Sequence, residues 1–324
     1  MSGTLTTRRT FLQTTATAAA TATLAAPLKA ARKRVPVIDA HMHVWSDNKD
    51  PFPYANPYNK DAGAANNAAT PDILIEDMDN HGVTHSILVQ TICHGWDNHY
   101  TSHCLRRFPD RFRAHGLIDP TDPNVADKLD YWMSEHGFSG MRFSALYYLG
   151  DSNGGDAWLT SAAHRRLWRR AEQLKAVFNM FISSTQLPRL ATMIEQYPDA
   201  RIIIDHMSQI DFGQDHAQRE LDKLLKLGQY PNVWVKISEL SSTAPTKVYP
   251  FKDALPWMTQ IFEAFGPNRI LWGTGYPGIC RMDYNRPSLE AELALVREHF
   301  TFLNEENRDK YLGINAAELW DIEF

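Results

Sequence analysis

The sequence lacks a cysteine framework, a glycine-rich phosphate loop, a surplus of positive charge and an apolar run long enough to cross a bilayer. Its 3 cysteines among 324 residues are Cys93, Cys104 and Cys280. They are odd in number and without metal-ligand spacing, so they are read as packing residues rather than as disulfides. A formal net charge of −5 offers no basic surface for nucleic acid or an anionic membrane. No Gly-rich turn follows the first apolar run, which argues against a doubly wound dinucleotide-binding sheet. Internal repeats and domain linkers are also missing. What is abundant is aromatic: 9 Trp, 12 Tyr and 15 Phe suit a well-packed globular protein with an aromatic-lined pocket.

Residues 1–30 differ from the rest. Thr7-Arg8-Arg9-Thr10-Phe11-Leu12-Gln13 precedes the weakly apolar stretch TTATAAATATLAAPLKA. Paired arginines ahead of such a stretch resemble a twin-arginine export signal, a receptor-read address rather than part of the fold. A disordered basic leader is the alternative. The stretch is too short and too Thr-rich for a stable membrane span. Cleavage is expected after Ala26 or Ala30, leaving a folded chain in the periplasm or otherwise outside the cytoplasm, with no membrane association.

From residue 35 onward, short apolar runs alternate with helical segments. The runs are 35–43, 83–90, 112–119, 138–144, 177–183, 201–207, 232–238 and 269–275; they are β-branched and bounded by turn residues, as buried parallel strands are. Helices are expected over 73–81, 125–136, 164–176, 187–197, 216–227 and 254–265. Pro71-Asp72, Pro123-Asn124, Ser161 and Asp253 supply start signals. This alternation over residues 35–324 predicts a single-domain (β/α)8 barrel. The long polar segments 45–71 and 145–158 follow strands and are expected to cover one end of it.

In such a barrel, chemistry sits where strands end. The first run ends in His41-Met42-His43, and residues two apart on a strand share a face, so both imidazoles are aimed at the barrel mouth. Neutral imidazole suits a borderline metal such as zinc; hydrogen-bonded histidines that only orient a substrate are the alternative. The sixth run adds His206, while alternation sends its neighbour Asp205 the opposite way, to solvent or helix packing. Gln90 and Arg142, at the ends of runs two and four, suit gripping a polar or anionic small molecule, although burial or an ion pair explains each nearly as well. His94 and Trp96 follow in the next loop as further substrate contacts. His99 and His103 read as helix-surface residues. Lys236 is either a rim contact or the partner of a nearby acid.

The segments IDAHMHVW, ILVQ, GMRF, IIIDHMS, PNVWVKIS and FGPNRILWGTGYP resemble the amidohydrolase-related TIM-barrel hydrolases, in the branch that includes sugar lactonases. That resemblance implies a divalent metal, zinc foremost, although some lactonases of this branch work without one. It also implies metal or polarising roles for His41, His43 and His206, and substrate contacts at Gln90 and Arg142. One position departs from the family pattern. Where relatives end the eighth strand in Gly-Thr/Ser-Asp, this chain has Gly273-Thr274-Gly275 and so lacks the aspartate that acts as ligand and general base. Glu239 stands where many relatives carry glycine, and it is the candidate replacement base; a solvated or Arg-paired glutamate is the alternative. Asp283 is a weaker candidate. The expected function is water attack on a lactone or similar carbonyl of a small polar molecule. The alternatives are a ligand-binding barrel without a base and a metal-assisted decarboxylase or hydratase. Partner chains are not specified, and a homo-oligomer is compatible with the sequence.

Overall fold

The apolar runs become eight short parallel strands. The computed structural model describes residues 1–3, 35–61, 63–64, 66–150 and 155–324. Within them lie β1 (Ile38–Met42), β2 (His85–Val89), β3 (Phe112–Leu117) and β4 (Gly140–Ser144). β5 (Val177–Phe181), β6 (Arg201–Ile204), β7 (Val233–Lys236) and β8 (Ile270–Leu271) follow. They pair in chain order in one sheet. Closure between the last and first strands comes from the backbone beyond the two-residue β8. Ala40 N–H donates to Trp272 O (3.0 Å), Gly275 N–H to His41 O (2.7 Å) and His43 N–H to Gly275 O (2.8 Å). The result is one (β/α)8 barrel over Val35–Phe324. Residues 4–34, on which the export signal falls, lie outside the described residues. No helix among the described residues is long and apolar enough to cross a membrane.

The outer ring contains α1 (Pro71–His81), α2 (His99–Arg107), α3 (Val125–His136), α4 (Ala162–Leu174), α5 (Leu187–Gln196) and α6 (Ala217–Leu225). The short α7 (Leu240–Thr243), then α8 (Leu255–Phe265) and α9 (Leu289–Ala294), complete it. Local chemistry sets several boundaries. The Thr70 hydroxyl accepts from Ile73 N–H ahead of Pro71 at the first turn of α1, and Gly82 ends that helix with φ +72°. Ser161 caps α4 by accepting from His164 N–H. Asp253, expected to start a helix, instead accepts from Thr246 N–H (2.7 Å), and α8 begins only at Leu255.

One apolar layer fills the space between strands and helices, with Leu74, Met141, Phe178 and Ile202 among its fully buried members. A second, inside the barrel, joins Ile87, Val177, Ile203 and Leu271 to the C-terminal Trp320 and Ile322. The Trp320 indole N–H donates to His115 Nε2 (2.9 Å), and Arg201 donates to Leu319 O (3.1 Å), which fixes the C-terminal segment against the interior.

Burial, and next the nearby Lys236, pushes His115 down to about 3, and burial pushes His164 down to about 4. The neutral His164 ring donates from Nε2 to Pro120 O (2.8 Å), a bond that opposes the shift caused by burial. Unfolding restores both to the ordinary 6.5, so between these values the unfolded chain binds more protons than the folded one. Their contribution to stability is therefore complete above pH 6.5 and is lost as pH falls through the folded values. The loss reaches up to about 1.4 kcal/mol per histidine per pH unit. Thermal melts taken from about pH 7.5 down to about pH 4.5 are expected to show a steadily falling Tm; an unchanged or rising Tm contradicts this.

Candidate active site

β1 delivers two imidazoles to the barrel mouth. His41 and His43 are 0 % and 7 % exposed, and their Nε2 atoms lie 3.1 Å apart. Behind them, His43 Nδ1 meets Val89 O at 2.7 Å, and His41 Nδ1 meets Lys236 Nζ at 3.1 Å. A carbonyl only accepts and an ammonium only donates. These partners therefore assign the proton of His43 to Nδ1 and that of His41 to Nε2, which donates to His43. Burial foremost holds His43 at about 3 and His41 well below its ordinary value, so both rings are neutral. Asp39 fixes the strand carrying them. Its carboxylate accepts from His41 N–H (3.0 Å), Thr274 N–H (3.1 Å) and the Thr274 hydroxyl (2.5 Å).

Asp205 enters the barrel, against the expectation that alternation counted from His206 gave. The inward parity of β6 runs through Ile203 to Asp205, so the carboxylate enters the barrel, where it is 0 % exposed. His206 enters as well, because the strand stops at Ile204 and the backbone turns left-handed. His206, Met207, Ser208 and Gln209 have φ of +48°, +53°, +60° and +56°. Each such non-glycine residue costs roughly 1 kcal/mol, and such strain concentrates at functional sites. Ser208 anchors the turn by donating to Ile182 O (2.9 Å), and His206 Nδ1 pairs with the Ser238 hydroxyl at 2.8 Å.

Inside, Asp205 Oδ1 lies 3.0 Å from Lys236 Nζ and 3.7 Å from His41 Nδ1, while Oδ2 lies 3.3 Å from Arg142 Nε. Oδ1 has no aligned hydrogen-bond donor, so its contact with Lys236 is chiefly charge on charge. Burial alone would raise the Asp205 carboxyl, but the Lys236 charge outweighs it and holds it well below the usual range. Burial lowers Lys236, and Asp205 opposes that shift. Of the two readings of Lys236, the acid pair is the one the structure contains.

Above this layer opens a cavity of about 370 Å³ bordered by His43, Arg142, Phe181, Glu239, Tyr276 and Arg286. Trp45 and Tyr284 extend its aromatic wall, with Tyr276 and Tyr284 stacked at 3.8 Å. Arg142 lies over the Phe181 ring at 4.3 Å. Glu239 is in the mouth and also Arg-paired. Its Oε1 is 3.6 Å from His206 Nε2 and its Oε2 is 3.1 Å from Arg286. Arg286 is held in turn by the Ser241 (2.6 Å) and Ser242 (2.9 Å) hydroxyls. Burial alone would raise the Glu239 carboxyl, but His206 and Arg286 hold it below the ordinary 4.5. Glu239 has φ +61°, a conformation natural to glycine. Gly275 has φ +95°, and a Cβ added there meets nothing within 4 Å.

Four candidate residues lie outside the lining of this cavity. The Gln90 amide is spent on its own loop, donating to Asp97 O (2.7 Å) and accepting from the Thr101 hydroxyl. His94 receives Ser46 N–H at Nε2 (3.3 Å) and stacks on Tyr100 at 5.2 Å. Trp96 meets Tyr58 edge-on at 6.0 Å. These three tie the loop after β2 to neighbouring elements, and none borders the cavity. Asp283 is turned outward, accepting from Asn67 N–H (3.0 Å) and the Asn67 amide (2.8 Å). Sequence reasoning did not find Arg286, Tyr276, Tyr284, Trp45 or Asp39. Of these, Asp39 and Trp45 lie within the segment IDAHMHVW and Tyr276 lies next to Gly275, while Arg286 and Tyr284 sit in no recognisable motif.

The compact group of metal-type donors among the described residues is His41, Asp205 and His206, with ligand atoms within 4.8 Å of one another; it contains Asp205 in place of the expected His43. This donor set does not fit a divalent ion. The Lys236 ammonium already bridges two of its three members. A dication about 3 Å from that charge is opposed by roughly 10 kcal/mol at an effective dielectric near 20.

The sequence profile of the amidohydrolase family matches residues 38–322. A 2-pyrone-4,6-dicarboxylate hydrolase of Comamonas testosteroni is 27% identical over 252 residues, covering 74% of this chain and 76% of that one. A 4-sulfomuconolactone hydrolase of Hydrogenophaga intermedia is 24% identical over 292 residues, covering 87% and 88%. The fold superposes with a TM-score of 0.71 on the crystal structure of a Burkholderia multivorans amidohydrolase with bound zinc. That protein is 21% identical, with 89% of this chain and 100% of that one covered.

Asp205→Asn leaves Lys236 and Arg142 without their shared counter-charge. It is expected to lower stability by about 3–5 kcal/mol in urea denaturation. A loss below about 1 kcal/mol contradicts the weight given to this ion group.

Proposed function

The chain belongs to the amidohydrolase family, and from that premise we propose that it hydrolyses a small anionic lactone, with Glu239 taking the proton of the attacking water. The observation that carries this reading is the place and backbone of Glu239. A carboxylate at the cavity wall occupies a left-handed position, φ +61°, that glycine would hold without strain. Strain retained at such a place has a functional rationale.

The substrate class follows from the charges. Lys236, Arg142 and Arg286 face two carboxylates, Asp205 and Glu239, and the nearby histidines are neutral. One negative charge on a ligand balances the mouth. The aromatic wall of Trp45, Phe181, Tyr276 and Tyr284 suits a flat ring. The names of the two lactone-hydrolysing relatives, a pyrone dicarboxylate and a sulfonated lactone, support the same class.

In the reaction, water oxygen bonds to the lactone carbonyl carbon while Glu239 accepts a proton from it. Arg142, fixed by Asp205 and Phe181, stabilises the oxygen that becomes negative. Collapse breaks the ring C–O bond, and the departing alkoxide takes the proton back from Glu239, giving a hydroxy acid. His206, 3.6 Å from Glu239, orients the carboxylate. All of these steps belong to the chain's own side chains. The paired arginines of the leader support export of the folded enzyme out of the cytoplasm.

Glu239→Gln is expected to lower kcat by about 10²–10⁴ on an anionic lactone while circular dichroism still shows the folded barrel. Full activity in this variant rules out the assigned role. Gly275→Asp is expected to give no gain, because φ +95° is strained for any residue with a Cβ. Hydrolysis appearing only in that variant makes the parent a binding barrel. Release of CO₂ from an aromatic acid, without a ring-opened product, transfers the protein to decarboxylation.

A further inference from the structure

We propose that the Lys236 ammonium is the resident cation of this barrel interior, seated between His41 and Asp205, so that lysine and divalent metal exclude one another in this chain. The inference does not depend on the lactone reading, because it concerns what fills the donor group beneath the cavity.

The geometry is that of an occupied site. Nζ lies 3.0 Å from Asp205 Oδ1 and 3.1 Å from His41 Nδ1, and those two atoms are 3.7 Å apart. A metal ion bound to the same two atoms sits about 2.0–2.2 Å from each, in direct contact with Nζ. Lys236, His41 and Asp205 are each 0 % exposed, so the ammonium has no solvent-facing place to retreat to. Lys236 also pairs in register with Leu271 of β8, which fixes the point where its stem leaves the barrel wall.

The opposite edge of His41 is occupied too. With its Nδ1 accepting from lysine, His41 carries its proton on Nε2 and directs it at His43 Nε2, 3.1 Å away. His43 then donates from Nδ1 to Val89 O. A single buried cation thereby sets the tautomers of both imidazoles, the orienting task that outer-shell partners perform around a metal. Arg142 places a second positive charge on the other oxygen of Asp205, so the carboxylate is balanced without a metal.

The test needs no substrate. Untagged protein is dialysed against zinc chloride, bound zinc is counted by mass spectrometry, and affinity is measured by calorimetry. The wild type and Lys236→Arg, which keeps the charge, are expected to hold no zinc at this group. Lys236→Met, which removes the charge at similar length, is expected to bind one zinc per chain at least about tenfold more tightly than the wild type. Equal affinity in wild type and Lys236→Met overturns the proposal. If Lys236→Met does not fold, anomalous diffraction from zinc-soaked wild-type crystals decides. A zinc peak bonded to either ring nitrogen of His41, to Asp205 or to His206 overturns the proposal, and no peak there supports it. Nitrogen-15 spectra showing His41 protonated on Nε2 and His43 on Nδ1 provide an independent signature, and the reverse assignment counts against it.

Discussion

A carboxylate buried among two cations governs this site. Asp205 is 0 % exposed, and an unpaired charge at that depth is prohibitive. Lys236 from β7 and Arg142 from β4 must therefore reach it across the barrel. Once they do, much else is determined. Arg142 is pinned against Phe181 at the cavity wall. The ammonium selects the tautomer of His41 and, through it, that of His43. The left-handed turn from His206 to Gln209 lets the next side chain enter the same mouth, which a continuing strand could not do.

Two backbone positions at the rim complement each other. Gly275 has no side chain at the end of the eighth strand, and the space around its missing Cβ is open. Glu239 carries an acid on a left-handed backbone that glycine would hold without strain. The strain at Glu239 is held by groups that need its charge, Arg286 and the adjacent His206. An acid supplied by β7 therefore faces a cavity whose eighth strand supplies none.

Most of the barrel was legible in the sequence. All eight apolar runs became strands within a few residues of their expected bounds, because buried parallel strands read as continuous apolar runs. The site was legible only where strand parity was counted from the right residue. His41 and His43 were found by it; Asp205 keeps the parity of Ile203 and was misplaced because His206, admitted by a left-handed turn that leaves no mark in the sequence, was taken as the inward residue. Gln90 and His94 have side chains suited to substrate, but loop backbone consumed their hydrogen bonds first. Arg286 comes from a loop beyond the last strand, where neither periodicity nor spacing points inward.

The most direct test of the account is a crystal structure of the Glu239→Gln protein with an anionic lactone bound. The account predicts the lactone carbonyl within reach of residue 239 through one water, at hydrogen-bond distances of about 2.6–3.2 Å, with Arg142 on the carbonyl oxygen. A lactone whose carbonyl faces away from residue 239, or one bound outside the cavity, contradicts it.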